Sequence, residues 1–213
     1  MKTRVTVVDY GIGNVYSVQR AFEVCGAQVV LSADPREIEA ADRLVLPGVG
    51  AFAEGMTGLR ERALIDPIRR YAATGRPLLG ICLGMQMLAT ISREFGEHSG
   101  LGLISGAVLP LPGTDHFGHP LKIPHTGWTG LYGTDTSSWL NSPLENTIEG
   151  ESVYMVHSFA FNPEDDRDRL ADCIYGGHRV CAAVRRNRVF GCQFHPEKSG
   201  PAGLRMLSRF LAC

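Results

Sequence analysis

Three residues in this chain have the types and spacing of a covalent catalyst: Cys82, His195 and Glu197. Cys82 stands in Gly80-Ile81-Cys82-Leu83-Gly84, with an apolar run (residues 77–81) before it and a helix-type pattern, Met85-Gln86-Met87-Leu88, after it. Strand, sharp turn and helix make the nucleophile elbow G-x-S-x-G, here with cysteine for serine. Glycines flank the turn because bulkier neighbours would clash with the strand and helix on either side. The turn exposes the sulfur, and the start of the helix directs N–H groups and a partial positive charge at it, favouring the nucleophilic thiolate. A cysteine nucleophile works with a base and an orienting carboxylate. His195 and Glu197 lie two apart past a predicted strand, with Pro196 between them. In an extended segment they face one side, so the carboxylate can hold the imidazole in one tautomer while the other nitrogen reaches Cys82. Pro47-Gly48-Val49-Gly50 ends another strand, and its backbone N–H could join that of Leu83 in an oxyanion hole. Taken alone, the elbow is equally a buried structural cysteine between two loop glycines. Its combination with His-x-Glu at strand ends of one sheet decides for chemistry.

The positioning elements read as an α/β fold. Residues 4–9 are a continuous β-branched run, the pattern of a strand buried on both faces. A helix follows over residues 15–25, with Val15, Val18, Ala21, Phe22 and Cys25 at helical spacing and Gly26 as its stop. Further strands are predicted at 28–31 and 43–46, with a short helix near 36–40 after Asp34-Pro35. One helical stretch is predicted over 59–74, stopped by Gly75, and leads into the elbow strand. Strands alternating with helices imply an open, mostly parallel sheet flanked by helices, whose ligand lies at the carboxyl ends of the strands. Gly11, Gly13, residues 47–50 and Cys82 fall at those ends and should share one rim. Beyond Ile91 the pattern predicts short antiparallel strands and irregular chain over 113–133, then one strand over 152–161 and a solvated loop over 162–169. A meander follows (170–175, 180–185 and 188–194, with turns at 176–177 and 186–187), and a helix over 203–211 closes the chain.

Size and composition narrow the function. The 213 residues suit a single domain, 1–213, and 44% apolar with 20% charged residues is ordinary for a soluble globular protein. A net charge of -1 argues against nucleic acid or an anionic membrane as main partner. The chain opens without a leader pattern and holds no run of membrane-spanning length. Its six cysteines have neither C-x-x-C nor regular spacing, so reduced thiols and a cytoplasmic location are expected. Gly11-x-Gly13 suggests a dinucleotide loop, but Tyr16 fills the third fingerprint position, where helix packing requires Gly or Ala. His116, His119 and His125 lie within ten positions yet lack ligand spacing, so neither metal nor cofactor is expected. Trp128 is either a core plug or a contact for another protein.

Several motifs together resemble a known family. Pro47-Gly48-Val49-Gly50, Gly80-Ile81-Cys82-Leu83-Gly84-Met85-Gln86 and Gln193-Phe194-His195-Pro196-Glu197 resemble the class I (triad-type) glutamine amidotransferases. Asp9-Tyr10-Gly11-Ile12-Gly13-Asn14, Pro124-His125-x-Gly127-Trp128, Val156-His157-Ser158-Phe159 and His195-Pro196-Glu197-Lys198-Ser199 are similar to the glutaminase subunits of imidazole glycerol phosphate synthase within that family. The resemblance spans nearly the whole chain. It implies a flavodoxin-like sheet and a heterodimer in which the glutaminase passes ammonia to a (β/α)8-barrel cyclase subunit of histidine biosynthesis, which makes imidazole glycerol phosphate and AICAR. By the same resemblance Cys82 attacks the glutamine side-chain amide, His195 relays protons and Glu197 orients it. Leu83 with the Val49-Gly50 peptide cradles the oxyanion, and Gly50, Gln86, His157, Ser158 and Phe159 hold the substrate. Asn14, Trp128 and Lys198 face the barrel, and activity without it is low until the oxyanion loop is reset.

Two departures keep an alternative open. Thr126 and Thr129 stand where the family carries Met or Ile and then Asn around Gly-Trp, and the loops at 114–122 and 162–169 are longer than usual. With residues 171–177, these are similar to paralogues encoded with surface-polysaccharide genes, which would supply ammonia for amidation of a sugar. A catalytically silent interaction subunit would be expected to have lost Cys82, His195 or Glu197. A free-standing peptidase or γ-glutamyl hydrolase would not be expected to carry Asn14, Trp128 and Lys198.

Overall fold

The computed structural model describes residues 3–134 and 139–213. Its centre is an eight-stranded sheet in the order β2-β1-β3-β4-β14-β13-β12-β9. Five of these strands run parallel: β1 (Arg4–Val8), β2 (Gln28–Ser32), β3 (Leu44–Leu46), β4 (Leu78–Ile81) and β14 (Val189–Cys192). The meander β12 (Arg169–Tyr175), β13 (His178–Arg186) and β14 adds antiparallel pairing, and β9 (Tyr132–Gly133) completes that edge. The α/β architecture matches the expectation, with three of the sheet's seven strand pairings antiparallel.

Both faces of the parallel half are covered. On one side α1 (Val15–Val24) and α6 (Gly200–Ala212) meet at the Phe22 and Phe210 rings, 6.1 Å apart, over Val5, Val7 and Val45. On the other, α2 (Pro35–Ala40), α3 (Phe52–Glu61), α4 (Ile65–Ala73) and α5 (Leu83–Met87) bury Ile38, Leu59, Ile68 and Met85 against Val8, Leu44 and Leu46. Successive strand residues thus enter opposite cores, which is why β1 and β3 read as continuous apolar runs. Asp34 accepts from the Arg36 N–H and caps α2 as its Asp-Pro start suggested. No helix among the described residues is long and apolar enough to cross a membrane.

Five expectations are corrected. The helix predicted over 59–74 is two helices, α3 and α4, broken at Ala63, whose φ of 53° no α-helix allows. The strand predicted over 152–161 is β10 (Ser152–His157) and β11 (Phe159–Pro163), which part at Ser158 and enter different sheets. β10 pairs antiparallel with β8 (His125–Gly130); β11 pairs with β7 (Gly106–Pro110), which in turn runs parallel to β5 (Ile91–Ser92) rather than antiparallel, and β6 (His98–Ser99) edges that sheet. The segment carrying His195 and Glu197 is not extended: residues Pro196–Lys198 form a 3-10 turn. The loop predicted over 162–169 likewise gains structure, since a second 3-10 turn buries Asp168 against Arg186.

Candidate active site

The elbow follows from three glycines. Cys82 takes φ 54° and ψ -112°, a strained conformation for a residue with a side chain, between the end of β4 and the start of α5. A Cβ on Gly84 would sit 1.8 Å from the Leu46 carbonyl oxygen of β3, and one on Gly80 would sit 2.6 Å from the Gly84 carbonyl oxygen. A Cβ on Gly48 would meet the Tyr10 hydroxyl at 2.5 Å and Leu83 Cβ at 3.0 Å. Chain therefore packs on chain with no side chain between, and the rims of β1, β3 and β4 converge. Gly13 approaches Gly48 there, as the shared-rim expectation requires. The Cys82 N–H bonds the Cys192 carbonyl at 2.7 Å, and Leu83 opens α5, where an N–H lacks an intrahelical acceptor.

His195 and Glu197 pair across the 3-10 turn. Nδ1 of His195 lies 2.8 Å from Glu197 Oε1, with the two side chains 4% and 1% exposed. The carboxylate accepts, so Nδ1 carries the proton and the buried Nε2, which has no well-formed hydrogen bond, is left for Cys82. Burial by itself would lower the His195 pKa, but the Cys82 sulfur facing one ring nitrogen and the Glu197 carboxylate on the other raise it to about 9. A proton taken from the thiol is thus held at neutral pH, available to a leaving amine. Glu197→Gln keeps the size but weakens that hold. We expect kcat to fall by about 10²–10⁴-fold, towards the effect of losing a triad carboxylate, with little change in thermal unfolding; steady-state kinetics and calorimetry check both.

These groups open onto a cleft of ≈ 300 Å³ lined by Val49, Gly50, Cys82, Leu83, Gln86, Glu94, Pro124, Val156, His157, Ser158, Phe159 and His195. All the residues proposed from sequence for the oxyanion and the substrate line it. Gly50 has φ 93°, and Val49 is exposed beside it. His157 donates from Nδ1 to the Phe159 carbonyl at 2.9 Å, and burial holds it neutral with a pKa near 4. Its Nε2 then accepts from His125 Nδ1 at 3.2 Å; burial lowers the His125 pKa too. His125 stacks on Tyr175, so it serves as a brace under the cleft rather than beside His116, which packs on His178 instead.

Asn14, Trp128 and Lys198 are exposed, and the last two meet at Tyr154. Asn14 occupies the N-cap position of α1 yet makes no cap hydrogen bond. Trp128, 60% exposed, meets Tyr154 edge-on across the β8–β10 ribbon, and Lys198 Nζ stands 6.0 Å from the Tyr154 ring centroid. Trp128 is therefore no core plug. The ribbon is tied to the catalytic turn: the His195 N–H bonds the Tyr154 carbonyl, and Ser199 Oγ donates to the His195 carbonyl while accepting from the Tyr154 N–H.

Sequence reasoning passed over four contributors. Ser199 ties rim to base. Glu94 lines the cleft and accepts from the Phe52 N–H at 2.6 Å. Tyr10 donates to the Pro47 carbonyl and anchors the start of the 47–50 loop. Gln193, fully buried, reaches the nucleophile. All but Glu94 stand inside the quoted motifs, which gave position but not partner.

Comparison with known proteins agrees with this geometry. The chain is 49% identical over 208 residues, 97% of its length and 98% of the relative's, to imidazole glycerol phosphate synthase subunit HisH 1 of Legionella pneumophila strain Lens. It is 43% identical over 207 residues, 97% and 96% of the two chains, to the HisH subunit of Sulfurimonas denitrificans. Among solved structures, PurLQS from Thermotoga maritima superposes with a TM-score of 0.73 at 24% identity, over 100% of this chain and 99% of that one, and shares the fold. The family model of class-I glutamine amidotransferases matches residues 6–213. With a match of that extent over a cysteine elbow and a His–Glu pair, the chain belongs to the class-I glutamine amidotransferase family.

Proposed function

We propose that this chain is the glutamine-hydrolysing subunit of imidazole glycerol phosphate synthase, a heterodimer of histidine biosynthesis working in the cytoplasm. Cys82 sulfur attacks the side-chain amide carbon of glutamine, and His195 Nε2 receives the thiol proton. The oxyanion is held by the N–H of Leu83 and by the Val49-Gly50 peptide. The intermediate collapses as His195 protonates the amine, ammonia leaves and a γ-glutamyl thioester remains. Water then attacks the thioester carbon, His195 takes its proton and returns it to sulfur, and glutamate leaves. Gln86, His157, Ser158, Phe159 and Gly50 line the substrate, and Glu94 is the carboxylate in the cleft wall that suits an α-ammonium group. The observation that carries the reading is the 2.8 Å His195–Glu197 pair, buried beside a cysteine with positive φ at the floor of an amino-acid-sized cleft.

Asn14, Trp128 and Lys198 would meet the (β/α)8-barrel cyclase subunit, which uses the ammonia to form imidazole glycerol phosphate and AICAR. An exposed Trp is the kind of aromatic anchor that contact surfaces carry. The Trp128→Ala and Lys198→Ala chains should each bind the cyclase about tenfold more weakly, with unchanged unfolding midpoints; titration calorimetry reads the affinity, and unaltered Kd values would remove both from the interface. The whole reading is tested by glutamine turnover of the purified chain, alone and with a cyclase subunit carrying its nucleotide ligand. Turnover should rise roughly tenfold or more on docking; indifference to the subunit would contradict it. The relatives named above lend no support to sugar amidation.

A further inference from the structure

Gln193 is buried completely, sits between Cys192 and Phe194 at the end of β14, and has a part in neither the triad nor the substrate wall. Its amide is nevertheless fixed in one orientation by a chain of hydrogen bonds that starts from an atom able only to accept. The Phe159 carbonyl accepts from Gln86 Nε2 at 3.0 Å, so that nitrogen must face it. The same Nε2 lies 2.9 Å from Gln193 Oε1, which therefore accepts as well. With its oxygen so held, Gln193 has only its NH2 group left to present on the other side, and Nε2 lies 3.8 Å from Cys82 Sγ. Flipping Gln193 would set its NH2 against that of Gln86 and leave two buried donors facing each other, a costly arrangement away from water.

We propose that Gln193 is a catalytic residue of the glutaminase reaction: its side-chain N–H donates to the Cys82 sulfur and stabilises the thiolate, with Gln86 and the Phe159 carbonyl holding it in that orientation. Sulfur accepts weakly as a thiol and better as an anion, so the bond favours the ionised form. It also reaches the sulfur from β14, whereas His195 approaches from the turn beyond it, so the nucleophile is held from two elements. Apart from His195, whose raised pKa reflects its own pairing with the sulfur and with Glu197, the titratable groups around the sulfur do not supply this effect. Burial, and then the nearby Cys82, push the Tyr10 phenol far above its ordinary range. Burial and the neighbouring Glu197 and Cys82 do the same to the Cys192 thiol. Glu197 acts on the sulfur through His195. The role rests on Cys82 being the nucleophile.

The test is the pH dependence of iodoacetamide alkylation at Cys82, followed on its peptide by mass spectrometry so that Cys25 and Cys213, both partly exposed, do not contribute. Gln193→Met removes the donor, and the midpoint should rise by about one pH unit. Gln193→Glu keeps the shape but offers an acceptor that can hold the S–H proton, so its midpoint should rise further. In both, kcat/KM at neutral pH should fall about tenfold through kcat, with KM nearly unchanged. A merely structural role would move stability and KM and leave the alkylation midpoint where it was; that result overturns the proposal. Should a variant fail to fold, the unsubstituted chain gives the answer by NMR. The Gln193 side-chain amide resonance should shift with the Cys82 titration, and a resonance blind to it contradicts the contact. If Cys82 were not the nucleophile, Cys82→Ala would keep its turnover, a failure distinct from an unmoved midpoint in an enzyme that alkylation still inactivates.

Discussion

Cys82→Ala should lose glutamine hydrolysis by roughly 10⁴-fold or more and remain folded, whether assayed alone or with the cyclase subunit. The loss is large because Cys82 is the one cysteine among the described residues that line the cleft. Cys192, although next to the elbow by a backbone hydrogen bond, is buried and held as a thiol. The fold should survive because the elbow's shape is set by its glycines and not by the sulfur, and alanine in place of cysteine removes one small, almost buried atom. A positive-φ alanine is no more strained than a positive-φ cysteine. Residual turnover within about tenfold of the parent chain would remove Cys82 from the chemistry.

Gly84→Ala should have the largest effect on stability. The added Cβ would stand 1.8 Å from the Leu46 carbonyl oxygen and 2.8 Å from its carbon. Both are backbone atoms of β3, a central strand paired on either side with β1 and β4, so neither can step away. Helix α5 has to separate from the sheet instead, opening a core that includes Leu46, Leu83 and Met85. Overpacking of this kind costs about 3 kcal/mol or more, and the displaced elbow should take the activity with it. Gly113→Ala, where nothing lies within 4 Å and φ is not positive, is the matched control and should unfold at the parent temperature. Equal unfolding midpoints for the two would mean that the close approach of α5 to β3 is not what shapes the elbow.

Much of this arrangement was legible because local and long-range preferences coincide. The β-branched run of β1 is buried on both faces, Gly26 and Gly75 stop α1 and α4 with φ of 87° and 74°, and G-x-C-x-G marks a turn that tolerates no side chain on either flank. The errors fall where a distant partner decides. The break at Ala63 is the exception: Pro67 has no N–H for the Ala63 carbonyl four residues back, a signal within the segment itself, and the wholly buried Leu64, whose N–H bonds the Leu59 carbonyl, holds the break. Residues 152–161 keep one apolar pattern throughout, and only pairing with β8 on one side of Ser158 and β7 on the other divides them. Pro196 suits the first position of a 3-10 turn as well as an extended chain, and the turn brings Glu197 to His195 just as effectively. Gln193 escaped notice for the same reason: its partner Gln86 is 107 positions away, and nothing in either segment reveals that their amides meet.

The most direct test of the central claim is to look for the covalent intermediate. The complex with the cyclase subunit, mixed with isotopically labelled glutamine and quenched in acid during turnover, should yield a γ-glutamyl thioester on the peptide that contains Cys82. Label on another residue, or none on Cys82 while ammonia is still being released, would contradict the mechanism.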